Sequence, residues 1–189
     1  MKVLGISGSL RRDSLNTALL LHAATLLGDG VEFEHWQGLR ELPHYDQDLE
    51  DGTQHPAVAE LRLAIKGADA LLIATPEYNG TIPSALKNAV DWASRPREDA
   101  ALKNKPVLVI GGSPGHFGAV SAQNDLRRSL GIAGARTIKT EVAIPALQDA
   151  FTPSGELADA TQATKLAEAL DQLVTESLPL AVVVSGSLA

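Results

Sequence analysis

The sequence contains no cysteine, which excludes disulfide bonds, thiol nucleophiles and iron–sulfur clusters. No apolar run approaches the ~20 residues that a membrane-spanning helix needs, so we expect no membrane partner. Basic runs are also missing, and the formal net charge is −7, which argues against general nucleic-acid binding. Aromatic residues make up only 4% of the chain, so an aromatic side chain in a loop stands out.

Metal-binding and hydrolase motifs are lacking as well. The histidines are scattered and no zinc-binding spacing occurs, so we predict no metal site. The spacing Gly111-x-Ser113-x-Gly115 matches a nucleophile elbow, but that fold requires a later histidine and none follows His116. The segment is therefore interpreted as a glycine-rich loop that lets the backbone approach a ligand.

No targeting segment is apparent at the start of the sequence. The apolar stretch Met1–Ile6 is too short for the core of a signal peptide, and Arg11 and Arg12 follow it. We expect a cytoplasmic protein. At 189 residues we also expect a single domain over 1–189, with 180–189 as a loose tail.

Strand and helix patterns alternate along the chain. Continuous apolar runs predict strands buried on both faces of a parallel sheet, and amphipathic spacing predicts the helices between them. The predicted strands are Lys2–Ile6, Val31–Trp36, Ala70–Ala74, Pro106–Ile110 and Arg136–Val142. The predicted helices are Asn16–Leu27, Pro56–Gly67, Pro83–Ala93, Ala119–Leu130 and Asp159–Leu178.

This alternation predicts an α/β fold with a doubly wound parallel sheet. Five strands favour the flavodoxin-like order 2-1-3-4-5, in which ligands bind beyond the carboxyl ends of the strands. The loops after the first, third and fourth strands should therefore share one site. Gln37–His55 is predicted to be a long surface loop, of a kind that is often functional or mobile.

The loop after the first strand is rich in hydrogen-bond donors and precedes a helix, whose N-terminus attracts anions. No lysine lies between Lys2 and Lys66, which excludes a Walker loop, and Gly5 and Gly8 are wrongly spaced for a dinucleotide fingerprint. A terminal monophosphate, as in FMN or a sugar phosphate, fits better; an ordinary capped turn is the alternative. The hydroxyl and amide donors are Ser9, Ser14, Asn16 and Thr17, and Arg11 or Arg12 adds a cation suited to phosphate.

The loop after the third strand is framed by Pro76 and Pro83 and contains Asn79-Gly80, a pair that permits positive φ. Such a turn exposes backbone N–H and C=O groups, which suit the edge of a flat heteroaromatic ring, and Tyr78 could flank that ring. The alternative is a proline-framed turn with Tyr78 simply at the surface.

Two polar residues in these loops could be interpreted as catalytic. Glu77 has no evident histidine or carboxylate partner, so we expect it to form hydrogen bonds or to lie at an interface rather than to act as a general base. His116 is expected to be a surface loop residue.

With these loops the chain resembles the NADPH-dependent FMN reductase family, a flavodoxin-like group that includes bacterial quinone and chromate reductases. The likeness extends from Lys2 to about Ile144. The matching pieces are Gly8-Ser9-Leu10-Arg11-x-x-Ser14-x-Asn16, Pro76-Glu77-Tyr78-Asn79 leading to Pro83 and Leu86–Trp92, and Gly111-Gly112-Ser113-x-Gly115.

The resemblance implies bound FMN, with NADPH or NADH as hydride donor and a quinone, free flavin, azo compound or metal oxyanion as acceptor. It also implies a homodimer or homotetramer. Since the flavin carries the difficult chemistry, we assign no proton-transfer residue. By the same resemblance, the phosphate would be bound by Ser9, Arg11, Ser14, Asn16 and Thr17. The ring would be bordered by Pro76, Glu77, Tyr78, Asn79, Gly80, Ser113 and Gly115.

Two other functions remain open at this point. A flavin-binding electron carrier or redox sensor would use the same loops without turnover. A phosphate-binding hydrolase or transferase would use the first loop, but the sequence offers it no base and no metal site.

Overall fold

The computed structural model describes residues 1–50 and 55–178. Its strands are β1 Lys2–Ser7, β2 Glu32–Trp36, β3 Ala70–Thr75, β4 Pro106–Gly112, β5 Arg136–Thr137 and β6 Val142–Ile144. Its α-helices are α1 Leu15–Thr25, α2 Pro56–Gly67, α3 Ser84–Ala93, α4 Val120–Ile132 and α5 Ala160–Ser177. Within the described ranges, no helix combines the length and the apolarity required to cross a membrane.

All strand pairs in the sheet are parallel, and the order is β2-β1-β3-β4-β5, which confirms the predicted flavodoxin-like topology. Every residue of β3 and β4 is buried, as their continuous apolar runs predicted. One core lies between the sheet and the helices α2, α3 and α4, and the other lies between the sheet and the helices α1 and α5. The carboxyl ends of β1, β3 and β4 therefore lie side by side.

The fifth strand differs from its prediction, because it is split in two. β5 pairs with the start of β4 at Val107↔Thr137, and β6 pairs with its end at Ile110↔Val142. Between those points the edge chain takes five steps while β4 takes three, so two extra residues bulge out of the ladder. The other predicted helices and strands agree with the structure within two residues at each end.

The described part of the predicted surface loop Gln37–His55 is mostly exposed but is anchored to the protein by two buried leucines. It contains two short 3₁₀ helices, Gly38–Glu41 and Gln47–Leu49, and it buries Leu39 and Leu42. Residues 51–54 of that loop, and the whole predicted tail 180–189, lie outside the described residues.

Candidate functional site

The three predicted loops converge at the carboxyl edge of the sheet. The Gly8 N–H, just after β1, donates to the carbonyl of Ala74 near the end of β3 at 2.8 Å. A pocket of about 250 Å³ opens between the first and second loops. Its walls are formed by Gly8, Leu10, Arg11, Tyr78, Pro83, Ser84 and Ala85.

Asn16 joins the start of α1 to the end of β4. Its side-chain amide donates to the Gly112 carbonyl at 3.0 Å and accepts from the Gly112 N–H at 3.0 Å. The residue is only 5% exposed, so this pair of bonds is shielded from water. In the structure, therefore, Asn16 fixes the position of the first loop against the third.

Ser14 and Thr17 also have partners within the protein. Ser14 is the N-cap of α1, and its hydroxyl accepts from the Thr17 N–H at 3.3 Å. The hydroxyls of Thr17 and Ser7 are 2.7 Å apart and hydrogen-bonded. These contacts shape the loop and leave the free N–H groups at the start of the helix pointing out of its end.

Ser9 and Arg11 are the predicted donors whose side chains remain accessible. Ser9 is partly buried, and its hydroxyl accepts from the Arg11 N–H at 3.3 Å, which leaves the hydroxyl proton available. Arg11 is exposed and lines the pocket. A hydroxyl, a guanidinium and a helix N-terminus together form a site that fits a phosphate.

The second loop forms a tight hairpin turn from Tyr78 to Thr81. Each of these two residues donates its N–H to the other's carbonyl at 3.2 Å. Between them Asn79 has φ 52° and Gly80 has φ 76°, the left-handed pair of a type I′ turn, for which Asn-Gly is the preferred sequence. The turn with positive φ is therefore confirmed, and Asn79 and Gly80 are exposed, which leaves their backbone groups accessible to a ligand.

Glu77 has a hydrogen-bonding role, and its partner is α4. Its carboxylate accepts from the Ala122 N–H at 3.1 Å, in the first turn of that helix. A carboxylate at a helix N-terminus is favoured by the free N–H groups and by the helix dipole. Thr81 makes a second link to α4, because its hydroxyl donates to Asp125 at 2.6 Å.

The third loop is attached to the segment that follows β6. The Ser113 N–H donates to the Ile144 carbonyl at 3.2 Å, and the Ser113 carbonyl accepts from Leu147 at 3.0 Å. The Gly115 carbonyl accepts from the Ala146 N–H at 3.3 Å. Among the described residues, a Cβ atom at Gly115 would have the Ser113 hydroxyl as its one neighbour within 4 Å, so the space beside this glycine is open. His116, as predicted, is exposed.

Two larger grooves, of about 520 and 470 Å³, lie along α3 and α4. Neither is lined by the first or third loop. We assign the site to the smaller pocket because its walls come from the loops that follow β1 and β3. These loops lie at the carboxyl ends of the strands, where doubly wound sheets bind ligands.

The sequence model of the family described as NADPH-dependent FMN reductase matches residues 1–149. This chain belongs to that family. It is 44% identical over 160 residues to an NAD(P)H-dependent FMN reductase of Pseudomonas aeruginosa, covering 84% of this chain and 85% of that protein. A quinone reductase of Escherichia coli K12 is 34% identical over 162 residues, covering 84% and 86% of the two chains.

Solved structures agree with this placement in the FMN reductase family. The flavoenzyme NAD(P)H:(acceptor) oxidoreductase FerB from Paracoccus denitrificans matches with a TM-score of 0.80 and 36% identity, over 93% of this chain and 96% of that one. Membership confirms the resemblance, the enzyme class and the expected cofactors, FMN with NAD(P)H. A flavodoxin variant from Pseudomonas aeruginosa, at 21% identity and a TM-score of 0.55, shows the shared fold alone.

One residue that supports the candidate site, Gln123, had no signal in the sequence. Gln123 of α4 is fully buried; its amide donates to the Gly118 carbonyl at 3.2 Å and accepts from Arg127 at 3.1 Å. Burial lowers the pKa of the Arg127 guanidinium, and the Glu141 carboxylate raises it by less. Thus α4 holds both the second loop, through Glu77, and the third loop, through Gln123.

Proposed function

We propose that this protein binds FMN in the pocket between its first and second loops and uses NADPH or NADH to reduce quinones. The observation that carries the proposal is the meeting of an anion site with an exposed turn of backbone N–H groups at one edge of the sheet. Bound FMN would supply the redox chemistry, taking hydride from NAD(P)H and passing electrons to the acceptor.

The phosphate end of the site is formed by the first loop. Ser9 and Arg11 would bind the phosphate through their side chains, together with N–H groups at the start of α1. Ser14, Asn16 and Thr17 would act mainly by holding that helix end in place, since their side chains bond to the protein.

The ring end is formed by the second and third loops. Backbone donors beside the ring would stabilise negative charge that develops there on reduction. This role requires groups that are fixed in advance, and the hairpin turn with its two links to α4 provides such rigidity. The ring would be bordered by Pro76, Glu77, Tyr78, Asn79 and Gly80 on one side and by Ser113 and Gly115 on the other.

The double variant Ser9→Ala/Arg11→Ala is expected to weaken FMN binding about a hundredfold. Each charge-assisted hydrogen bond to a phosphate contributes about 1.5 kcal/mol or more, and a factor of ten in affinity is about 1.4 kcal/mol. Quenching of flavin fluorescence on titration measures the affinity. Arg12→Ala is the matched control, because Arg12 is exposed in the same loop but does not line the pocket. Unchanged affinity in the double variant would refute the phosphate assignment.

An anaerobic visible spectrum of the protein with FMN, taken before and after NADPH, tests the whole proposal. We expect a bound-flavin spectrum that bleaches on addition of NADPH and recovers its colour when a quinone is added. A bound flavin that stays oxidised would instead indicate the electron carrier or sensor considered above. Absence of bound flavin would contradict the proposal itself.

The finer parts of the function remain proposals that rest on the family resemblance. We propose that azo compounds, free flavin and metal oxyanions such as chromate are further acceptors, that NADPH is a donor, and that the protein is a homodimer or homotetramer. The single domain over 1–189 and the cytoplasmic location remain predictions from the sequence.

A further inference from the structure

The segment 37–45, which follows β2, is attached to the middle of α3. The Pro43 carbonyl accepts from the side chains of Asn88 and Trp92, each at 2.8 Å. The Tyr45 N–H donates to the Asn88 side chain at 2.7 Å. With both its N–H donor and its oxygen acceptor, Asn88 holds the backbone of segment 37–45 on either side of His44.

Apolar packing adds to these bonds. Leu39 and Leu42 are buried in the core beneath the segment, and the Tyr45 ring packs edge-on against Trp92 with ring centroids 5.1 Å apart. Segment 37–45 is thus a fixed support beside the flavin pocket, and the first turn of the same helix α3 lines that pocket through Ser84 and Ala85.

Arg40 extends from this support to the first loop. Its guanidinium donates to the Leu10 carbonyl at 2.7 Å. A peptide unit is planar, so fixing the Leu10 carbonyl also fixes the Arg11 N–H of the same unit. That N–H donates to the Ser9 hydroxyl at 3.3 Å. The peptide between Leu10 and Arg11 is therefore held at both ends, and it lies in the wall of the pocket.

We propose that Arg40 is a positioning residue for the FMN phosphate. It sets the orientation of the Leu10–Arg11 peptide, and so of the Ser9 hydroxyl and the Arg11 side chain, before FMN arrives. Its own positive charge also lies beside the loop that receives the phosphate. This inference rests on the proposed function, because it concerns how the same pocket recognises its ligand.

The test compares FMN with riboflavin, which has the same ring and lacks the phosphate. In Arg40→Met we expect FMN binding to weaken about tenfold, the effect of losing one charged hydrogen bond, while riboflavin binding changes less than twofold. The ratio of the two dissociation constants isolates the phosphate end, since damage to the fold would weaken both ligands alike. Fluorescence titration of both flavins on the full-length protein gives the ratio.

Two further variants complete the experiment. Arg40→Lys keeps a charged donor. We expect the logarithm of its riboflavin-to-FMN ratio of dissociation constants to be at least half the wild-type value. Arg97→Met removes an exposed arginine in the 3₁₀ helix Arg97–Asp99, which precedes β4 and pairs through Asp99 with Lys66 in the last turn of α2, and should leave the ratio unchanged. The inference would be overturned if Arg40→Met kept the wild-type ratio of dissociation constants, or if it lost affinity equally for FMN and riboflavin. Failure of the wild-type protein to bind FMN would instead refute the proposed function.

Discussion

Asn16→Leu is expected to lower the free energy of unfolding by about 3–4 kcal/mol and to abolish measurable FMN binding. The substitution leaves the buried N–H and carbonyl of Gly112 without their partner, and each unsatisfied group costs about 1–3 kcal/mol. It also separates the start of α1 from the end of β4, so the phosphate end and the ring end of the site lose their alignment.

Urea unfolding of the FMN-free protein, together with a flavin titration, measures both effects. Asn124→Leu is a suitable control, because Asn124 lies on the exposed face of α4 and its side chain accepts a bond from the exposed end of Arg127. We expect that control to change stability by less than about 0.5 kcal/mol. If both variants lost a similar free energy of unfolding, the bonds between Asn16 and Gly112 would not contribute the stability expected of them.

Gly118→Ala is expected to destabilise the protein by about 3 kcal/mol and to weaken FMN binding by at least tenfold. Gly118 has φ 57°, which costs a residue with a side chain about 1–2 kcal/mol. A Cβ atom there would lie 2.6 Å from the Ala143 carbonyl carbon and 2.7 Å from the Ile144 nitrogen. These are backbone atoms of β6, which cannot rotate away, so the third loop must shift and overpacking adds about 1–3 kcal/mol.

The same measurement on Gly131→Ala provides the contrast. Gly131 lies in the last turn of α4, and apart from the helix's own backbone no atom of residues 1–50 or 55–178 would lie within 4 Å of a Cβ atom there. Alanine is the better helix former, so we expect this variant to be more stable by about 0.5–1 kcal/mol. Changes of opposite sign in the free energy of unfolding of the two glycine variants would support the steric argument. A Gly118→Ala protein as stable as wild type would contradict it.

The order of the sheet could be predicted because it depends on local patterns. The apolar runs of β3 and β4, and the glycines that end strands and helices, are visible in the sequence. Once the number of strands is known, the right-handedness of crossover connections leaves few possible topologies. The break between β5 and β6 could not be predicted in this way. It depends on how the edge chain pairs with Val107 and Ile110, a register that no local pattern of residues 136–144 encodes.

The positions of the three loops were also predictable from the sequence. Which of their side chains bond to the protein, and which remain accessible to a ligand, was not. The Asn79-Gly80 turn follows from backbone preference alone. In contrast, the partners of Asn16, Glu77 and Arg40 lie 96, 45 and 30 residues away in the sequence. Nothing local distinguishes a side chain that binds a ligand from one that fixes another loop, and so Arg40 and Gln123 gave no signal.

The bond between Asn16 and Gly112 also has a consequence for biosynthesis. The ribosome makes Asn16 and the first loop before β4, and the partner Gly112 follows 96 residues after Asn16. At about 5–20 residues per second, that interval is roughly 5–20 s. During this time the nascent loop has no support from β4, so we expect cofactor capture to occur only after β4 has been synthesised and has paired with the loop.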